Sequence, residues 1–220
     1  MHIRSSPTAA ARYVAGRIPV LDKTLCPRVA IDGPDGAGKT QFANHLAKLL
    51  REQGRPAVRV SLDDFHNIKA VRYRKGPDSP EGFWSDSYNY DRFRADVLNP
   101  FSPGGSRRYR AAAHDLITDA ILTPEQREAK DGTILVVDGI FLHRNELSAS
   151  WDLSVFLDVP FAETARRMAL RDGSDSDPEH PSMRRYVEAQ RRYFEECRPQ
   201  QRATILIDNR DFNSPVVLRG

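Results

Sequence analysis

The chain has 220 residues, of which 40% are hydrophobic and 29% charged, with a formal net charge of +3. That size suits one domain, or a core with a small lid, and the composition excludes a disordered chain. The charge is too small to imply nucleic acid, and no apolar run approaches the roughly 18 residues of a membrane span.

Residues 1–12 carry Arg4 and several alanines but no apolar stretch of the kind a secretory leader needs, so no signal peptide is expected. The segment is expected to be partly mobile, with a helix from Ala9 to Gly16, and residues 1–22 read as an extension before a single domain at 23–220. Cys26 and Cys197 lack CxxC spacing, which argues against a zinc site or a disulfide framework and reads as two reduced thiols in a cytoplasmic protein.

Arg28 to Asp32 is a short apolar run ending at a glycine turn, as a buried strand does. Thr40 to Gln53 follows with Phe42, Ala43, Leu46, Leu49 and Leu50 at helical spacing, and Gly54 ends it. Ala57 to Leu62 predicts a second strand. Residues 66–90 are rich in Gly, Pro, Ser and aromatics and predict an irregular loop. Asp91 to Leu98 predicts a short helix that Pro100 stops, and Tyr109 to Ile117 a strand or hairpin. Thr133 to Asp138 predicts the clearest buried strand, β-branched on both faces, and Leu153 to Val159 another, stopped by Pro160. Phe161 to Arg171 predicts a helix, Gly173 to Pro181 a mobile polar loop, Met183 to Cys197 a helix with one apolar face, and Ala203 to Ile207 a last strand. Strands alternating with helices predict an α/β fold: a parallel sheet of about five strands flanked by helices, with a short lid at about 172–185.

The segment Gly33-Pro34-Asp35-Gly36-Ala37-Gly38-Lys39-Thr40 fits G-x-x-x-x-G-K-[ST] and sits between a predicted strand and a predicted helix, the context this phosphate loop requires. Its glycines let backbone N–H groups turn toward phosphate oxygens, and the helix adds the positive end of its dipole. Gly33, Asp35, Gly36, Ala37, Gly38, Lys39 and Thr40 are therefore the expected ATP-binding residues, with Lys39 reaching the β- and γ-phosphates and the Thr40 hydroxyl binding Mg²⁺.

No Asn-Lys-x-Asp segment and no LSGGQ-like signature occurs, which disfavours guanine-specific switches and transporter ATPases. Asp63 and Asp64 end the second strand, and Asp138 ends the strongest one. Ligands of open α/β sheets bind beyond the carboxyl ends of the strands, so these acids face the phosphate loop. Phosphoryl transfer needs a carboxylate to take the hydroxyl proton and acids near the metal. Asp63 is assigned as base, with Asp64 as its neighbouring alternative, and Asp138 as an acid on the Mg²⁺ side, though strand-end Asp residues also cap turns.

From Arg28 to Asn209 these residues resemble the uridine kinase family, a branch of P-loop kinases that includes phosphoribulokinase-like and pantothenate-kinase-like enzymes. Ser61-Leu62-Asp63-Asp64-Phe65-His66 resembles the family's D-[DS]-F-Y segment, which implies that Asp63 is the base and lies near the metal. Tyr88-Asn89-Tyr90-Asp91 resembles N-[FY]-D, implying that Asp91 holds ribose hydroxyls, although Asp91 equally suits a helix N-cap. Tyr109 and His114 resemble a Tyr-x4-His pair that contacts a pyrimidine. Val137-Asp138-Gly139-Ile140-Phe141 is similar to E-G-I, and Arg167 and Arg171 lie where the family places arginines touching substrate and phosphates. The chain departs at His66 (usually Tyr), Asp138 (usually Glu), Ala111 (usually an aromatic) and across the lid, where Arg184 or Arg185 come nearest to a second lid arginine.

The resemblance implies an ATP- and Mg²⁺-dependent kinase of uridine or cytidine, with Asp63, Lys39 and Arg171 in catalysis, Asp91, Tyr109, His114 and Arg167 on the substrate, and Thr40, Asp63 and Asp138 at the metal. The alternatives are a kinase of pantothenate, a sugar phosphate or nicotinamide riboside, and an ATP-binding regulator without transfer activity. The expected partner is a nucleoside-like small molecule, not nucleic acid or membrane; the oligomeric state, a homo-oligomer included, stays open.

Overall fold

The computed structural model describes residues 3–4, 6–22 and 24–220. Met1, His2 and Ser5, which belong to the segment expected to be partly mobile, lie outside the described residues, as does Lys23.

The strands are β1 (Ile3–Arg4), β2 (Arg28–Asp32), β3 (Ala57–Ser61), β4 (Ile134–Asp138), β5 (Leu153–Asp158), β6 (Ile205–Asp208) and β7 (Val216–Arg219). They form one sheet in the order β1-β7-β6-β5-β2-β4-β3. The five strands from β6 to β3 are parallel, as the sequence predicts. β7 and β1 add an antiparallel edge that the sequence reading did not anticipate, because two such short strands carry no clear periodicity.

The main helices are α1 (Pro7–Ala15), α2 (Lys39–Glu52), α3 (Pro80–Asp86), α4 (Phe161–Asp172) and α5 (Arg184–Cys197). Alternate residues of each parallel strand feed two apolar layers. Val29, Ile31, Val136 and Val155 pack with Phe42, Leu46 and Leu50 of α2. Ala30, Leu135, Val137 and Phe156 pack with Phe65, Trp84, Phe141 and Tyr193 on the other face. Each Val, Leu, Ile or Phe among them stabilises the fold by about 1.5–3 kcal/mol when fully buried.

The stretch read as an N-terminal extension contributes to the first layer. Ser6 caps α1, Ala10, Val14 and Ile18 are buried beside α2, and Arg55 Nη1 donates to Ala15 O at 2.8 Å. Within 66–90, expected to be irregular, lie a short helix at Lys69–Arg72 and α3, which starts at a Ser79 cap followed by Pro80. The helix expected from Asp91 begins one residue earlier, with Asn89 rather than Asp91 as its N-cap, and continues as a π-turn over Arg94–Leu98. The region around Tyr109 forms two minimal ladders, Arg108–Tyr109 with Arg127–Glu128 and His114–Asp115 with Ala120–Ile121. α4 closes on Gly173 in the left-handed region, and the lid segment continues through a 3-10 turn at Pro181–Met183 into α5. Trp84 of α3 lies against Tyr193 of α5, ring centroids 6.0 Å apart, with the Arg192 guanidinium 5.3 Å from its ring.

Candidate active site

The chain leaves β2, turns through Gly33–Gly38 and enters α2 at Lys39. Gly38 is the α2 N-cap and offers no side chain, so the first N–H groups of the helix stay free for an anion. Gly38 adopts φ +90°, and a Cβ there would lie 2.4 Å from the Phe212 ring; at Gly36, φ +74°, it would lie 2.8 Å from Thr164 O. Only glycine fits either position.

Four contacts hold the loop from behind. Asp32 Oδ1 accepts from Gly33 N at 2.7 Å, and Gln190 Oε1 accepts from Asp35 N at 3.0 Å. Arg167 Nη1 donates to Gly36 O at 3.3 Å, and Asn209 Nδ2 to Ala37 O at 2.8 Å. Lys39 Nζ donates to Pro34 O at 2.8 Å and stands 3.9 Å from Asp35 Oδ1.

In front of the loop opens a cleft of about 510 Å³, lined by Asp35, Gly36, Gly38, Lys39, Thr40, Asp63, Arg167, Arg171 and Phe212. Asp63 follows β3 on a 3-10 turn and is exposed to the cleft. Tyr88 Oη donates to its Oδ1 at 3.0 Å, and the His66 ring donates through Nδ1 to Asp63 O at 2.7 Å. Asp138 ends β4, only 1% exposed, and accepts from the Thr40 hydroxyl at 2.8 Å and from both ends of the Arg59 guanidinium.

Burial raises the Asp35 carboxyl above the ordinary range, with Lys39 opposing the rise and Asp63 adding to it. Burial also raises Asp64 against the pull of Arg59. The Tyr88 phenol is raised well above its usual value by burial and by the adjacent Asp63 charge. His66 is lowered by burial, which outweighs the attraction of Asp63.

A family model described as the phosphoribulokinase / uridine kinase family matches residues 29–207. The chain belongs to this family. It is thus a P-loop kinase acting on the hydroxyl of a small molecule. Solved structures share the fold. A possible uridine kinase from Bacillus stearothermophilus superposes with TM-score 0.71 at 22% identity, over 90% of this chain and 97% of that one. A candidate fructose transport system kinase from Silicibacter sp. TM1040 gives 0.69 at 21%, over 87% and 95%. Phosphoribulokinase from Rhodobacter spheroides gives 0.58 at 14%, over 84% and 70%. A comparison with curated protein sequences finds no match.

Of the residues the family resemblance marks, the structure brings Asp35, Lys39, Thr40, Asp63, Arg167 and Arg171 to one cleft, with Asp138 behind Thr40. Arg171 is exposed at its edge, 2.7 Å from Asp172. Arg167 is committed elsewhere than to an acceptor. Its fork also holds Asn209 O and Arg210 O at 2.9 and 2.8 Å, Glu163 takes its Nε at 2.7 Å, and it covers the Phe212 ring at 3.7 Å.

Asp91 and Tyr109 are not among the residues lining this cleft. The Asp91 side chain is fully exposed, 3.8 Å from Arg94, because the helix starting at Tyr90 turns it outward. Tyr109 is 6% exposed in the core, edge-on to Phe101. His114 is buried, its Nε2 3.0 Å from Asp119 Oδ1. Arg185 is buried too, donating to Gly76 O, Pro77 O, Ser79 O and Arg72 O, so of the two lid candidates only Arg184 stays exposed. The sequence reading missed Gln190, Asn209, Phe212 and Arg59. Arg59 had a signal, a charge inside an otherwise apolar strand, and so had Gln190, a polar residue on the apolar face of Met183–Cys197; Asn209 and Phe212 had none.

Cys26 and Cys197 are free, buried thiols. Among the described residues no helix is long and apolar enough to cross a membrane.

Proposed function

We propose that this kinase transfers the γ-phosphate of ATP to a small-molecule hydroxyl with Asp63 as the base. The observation that carries this is the placement of Asp63 in the same cleft as Lys39, Thr40 and Arg171. Lys39 leaves Pro34 O for the β- and γ-phosphates, while the free N–H groups of α2 take up their charge. Tyr88 fixes Asp63 Oδ1, leaving Oδ2 for the acceptor proton. Arg171 at the cleft edge supplies positive charge to the transferring group.

Mg²⁺ suits the donors present. It takes few protein ligands and many from phosphates, and the Thr40 hydroxyl lies beside the Asp138 carboxylate, with Asp63 across the cleft. When bound, it neutralises charge on the β- and γ-phosphate oxygens.

For the acceptor, the family resemblance supports uridine or cytidine; the residues it marks for that role do not line the cleft, with Asp91 turned outward and Tyr109 and His114 buried. A second reading is favoured by groups near His66, whose ring is hydrogen-bonded to Asp63 O. Arg72 is 8% exposed and its Nε has no partner among the described residues, nor has His114 Nδ1. Both bind Asp119, at 3.4 and 3.0 Å. Unused donors on a buried cation suit an acceptor with its own anionic group, such as a sugar phosphate or pantothenate.

The test is ADP release with Mg·ATP against uridine, cytidine, nicotinamide riboside, pantothenate and ribulose 5-phosphate. Asp63→Asn is expected to keep ATP binding and lose about 10²–10⁴ in turnover; unchanged turnover sinks the base assignment. ATP binding without stimulation by any hydroxyl compound favours the regulator.

A further inference from the structure

The phosphate loop is fastened to the helix that follows the lid. Gln190, 2% exposed in α5, accepts from Asp35 N and donates through Nε2 to Asp35 Oδ2 at 3.3 Å and to Tyr186 O at 3.1 Å. The other carboxylate oxygen, Asp35 Oδ1, is the one 3.9 Å from Lys39 Nζ. One oxygen thus leans on a neutral amide and the other on the lysine that must serve the nucleotide. One turn further along α5, the Tyr193 hydroxyl donates to Asp32 Oδ2, which also accepts from His143 Nδ1 at 2.7 Å. The segment from Asp32 to Asp35 is therefore held at both ends by α5.

Residues 34 and 35 mark the γ-phosphate end of the loop, because Lys39, which reaches that phosphate, rests on them. The Asp35 side chain is 28% exposed at the cleft, and without Gln190 its nearest charged partner is Lys39. Closing from 3.9 Å to full ion-pair contact would set Asp35 in competition with the γ-phosphate for one ammonium group.

We propose that Gln190 is a positioning residue for the γ-phosphate: it holds the Asp35 carboxylate off Lys39 and so makes the loop prefer a nucleoside triphosphate to the diphosphate. The inference rests on ATP binding at this loop, and it assigns to a lid-side helix the discrimination between substrate and product nucleotide.

The test is calorimetric titration of the intact protein with Mg·ADP and with a non-hydrolysable Mg·ATP analogue. Gln190→Met keeps the side-chain volume without the hydrogen bonds. It is expected to bind the ATP analogue about tenfold more weakly, the scale of one lost charge-assisted contact, with a much smaller change for ADP. Adding Asp35→Asn to that variant is expected to restore binding of the ATP analogue, since a neutral amide does not capture Lys39. Asp35→Asn alone, which should fold whether or not Gln190→Met does, is expected to bind the ATP analogue more tightly than the wild type. Equal losses for both nucleotides, unchanged ATP affinity in Gln190→Met, no recovery in the double variant, or weaker binding by Asp35→Asn alone would each overturn the proposal. A wild-type protein that binds neither nucleotide removes the ATP reading itself, and this inference with it.

Discussion

Arg59 grips Asp138 with both ends of its guanidinium, Nε on Oδ1 at 2.6 Å and Nη2 on Oδ2 at 2.7 Å. The two residues stand on adjacent parallel strands, where Ser61 and Asp138 are register partners and Arg59 lies two residues back. A buried carboxylate at the strand end is thereby neutralised from within the sheet, and its Oδ2 still accepts from Thr40.

Removing that cation strands the anion. Arg59→Leu is expected to cost about 3 kcal/mol in denaturant unfolding, because it leaves Asp138 buried without its counter-charge. Adding Asp138→Asn should recover most of the loss, and a double variant as unstable as the single one would contradict this account.

Arg167 spreads one guanidinium over three backbone carbonyls and an aromatic face. Lysine keeps the charge but not the fork. Arg167→Lys is expected to lower stability by about 2 kcal/mol and to weaken nucleotide binding, while Arg166→Lys, an exposed neighbour, changes stability by less than about 0.5 kcal/mol. Chemical denaturation with and without ADP separates the two effects.

Hydrogen bonds from Arg166, then from Arg167, hold the Glu163 carboxyl down to about 2. Its folded pKa lies below the unfolded one, so its stabilisation is complete above the ordinary glutamate range and is lost as pH falls from about 4.5 toward 2. Arg166 is 58% exposed, so solvent screening reduces the contribution to about 1 kcal/mol. Glu163→Gln should flatten the acid limb of a stability–pH curve by that amount; an unchanged limb would show that the pair adds nothing.

Tyr193 donates to Asp32 and accepts from His143 N at 2.9 Å, all three residues being at least 98% buried. Tyr193→Phe removes the hydroxyl while Asp32 keeps His143 and Gly33 N as donors and His143 N keeps Asp32 Oδ2 at 3.2 Å, so the expected cost is about 1 kcal/mol in unfolding free energy.

The parallel sheet and the phosphate loop were legible because local pattern and tertiary environment agree there. Val136 and Val137 must be apolar to be buried on both faces, and Gly36 and Gly38 must be glycine to turn where Thr164 and Phe212 crowd them. Asp63 was legible for the same reason, since the end of its strand dictates where it points. What escaped the sequence were residues whose meaning comes from a partner far along the chain. Gln190 is an unexplained polar residue on the apolar face of a helix until Asp35, 155 positions away, is set beside it. Tyr109 is buried, and a Tyr-x4-His spacing does not say which side of a two-residue ladder meets the core. The helix expected from Ala9 to Gly16 forms as α1, starting two residues earlier, and its small residues let it lie close to α2.

The chain has two tryptophans, and they report on different places. Trp151 donates to Leu142 O, next to His143 of the Asp32 network. Trp84 has the Arg144 guanidinium 4.0 Å from its ring and Arg192 and Tyr193 of α5 beside it. Cations held against an indole face perturb its electronic states, so any reseating of α5 alters the light that Trp84 emits. With Trp151 replaced, the protein becomes its own optical gauge of whether the helix gripping the phosphate loop shifts when nucleotide arrives.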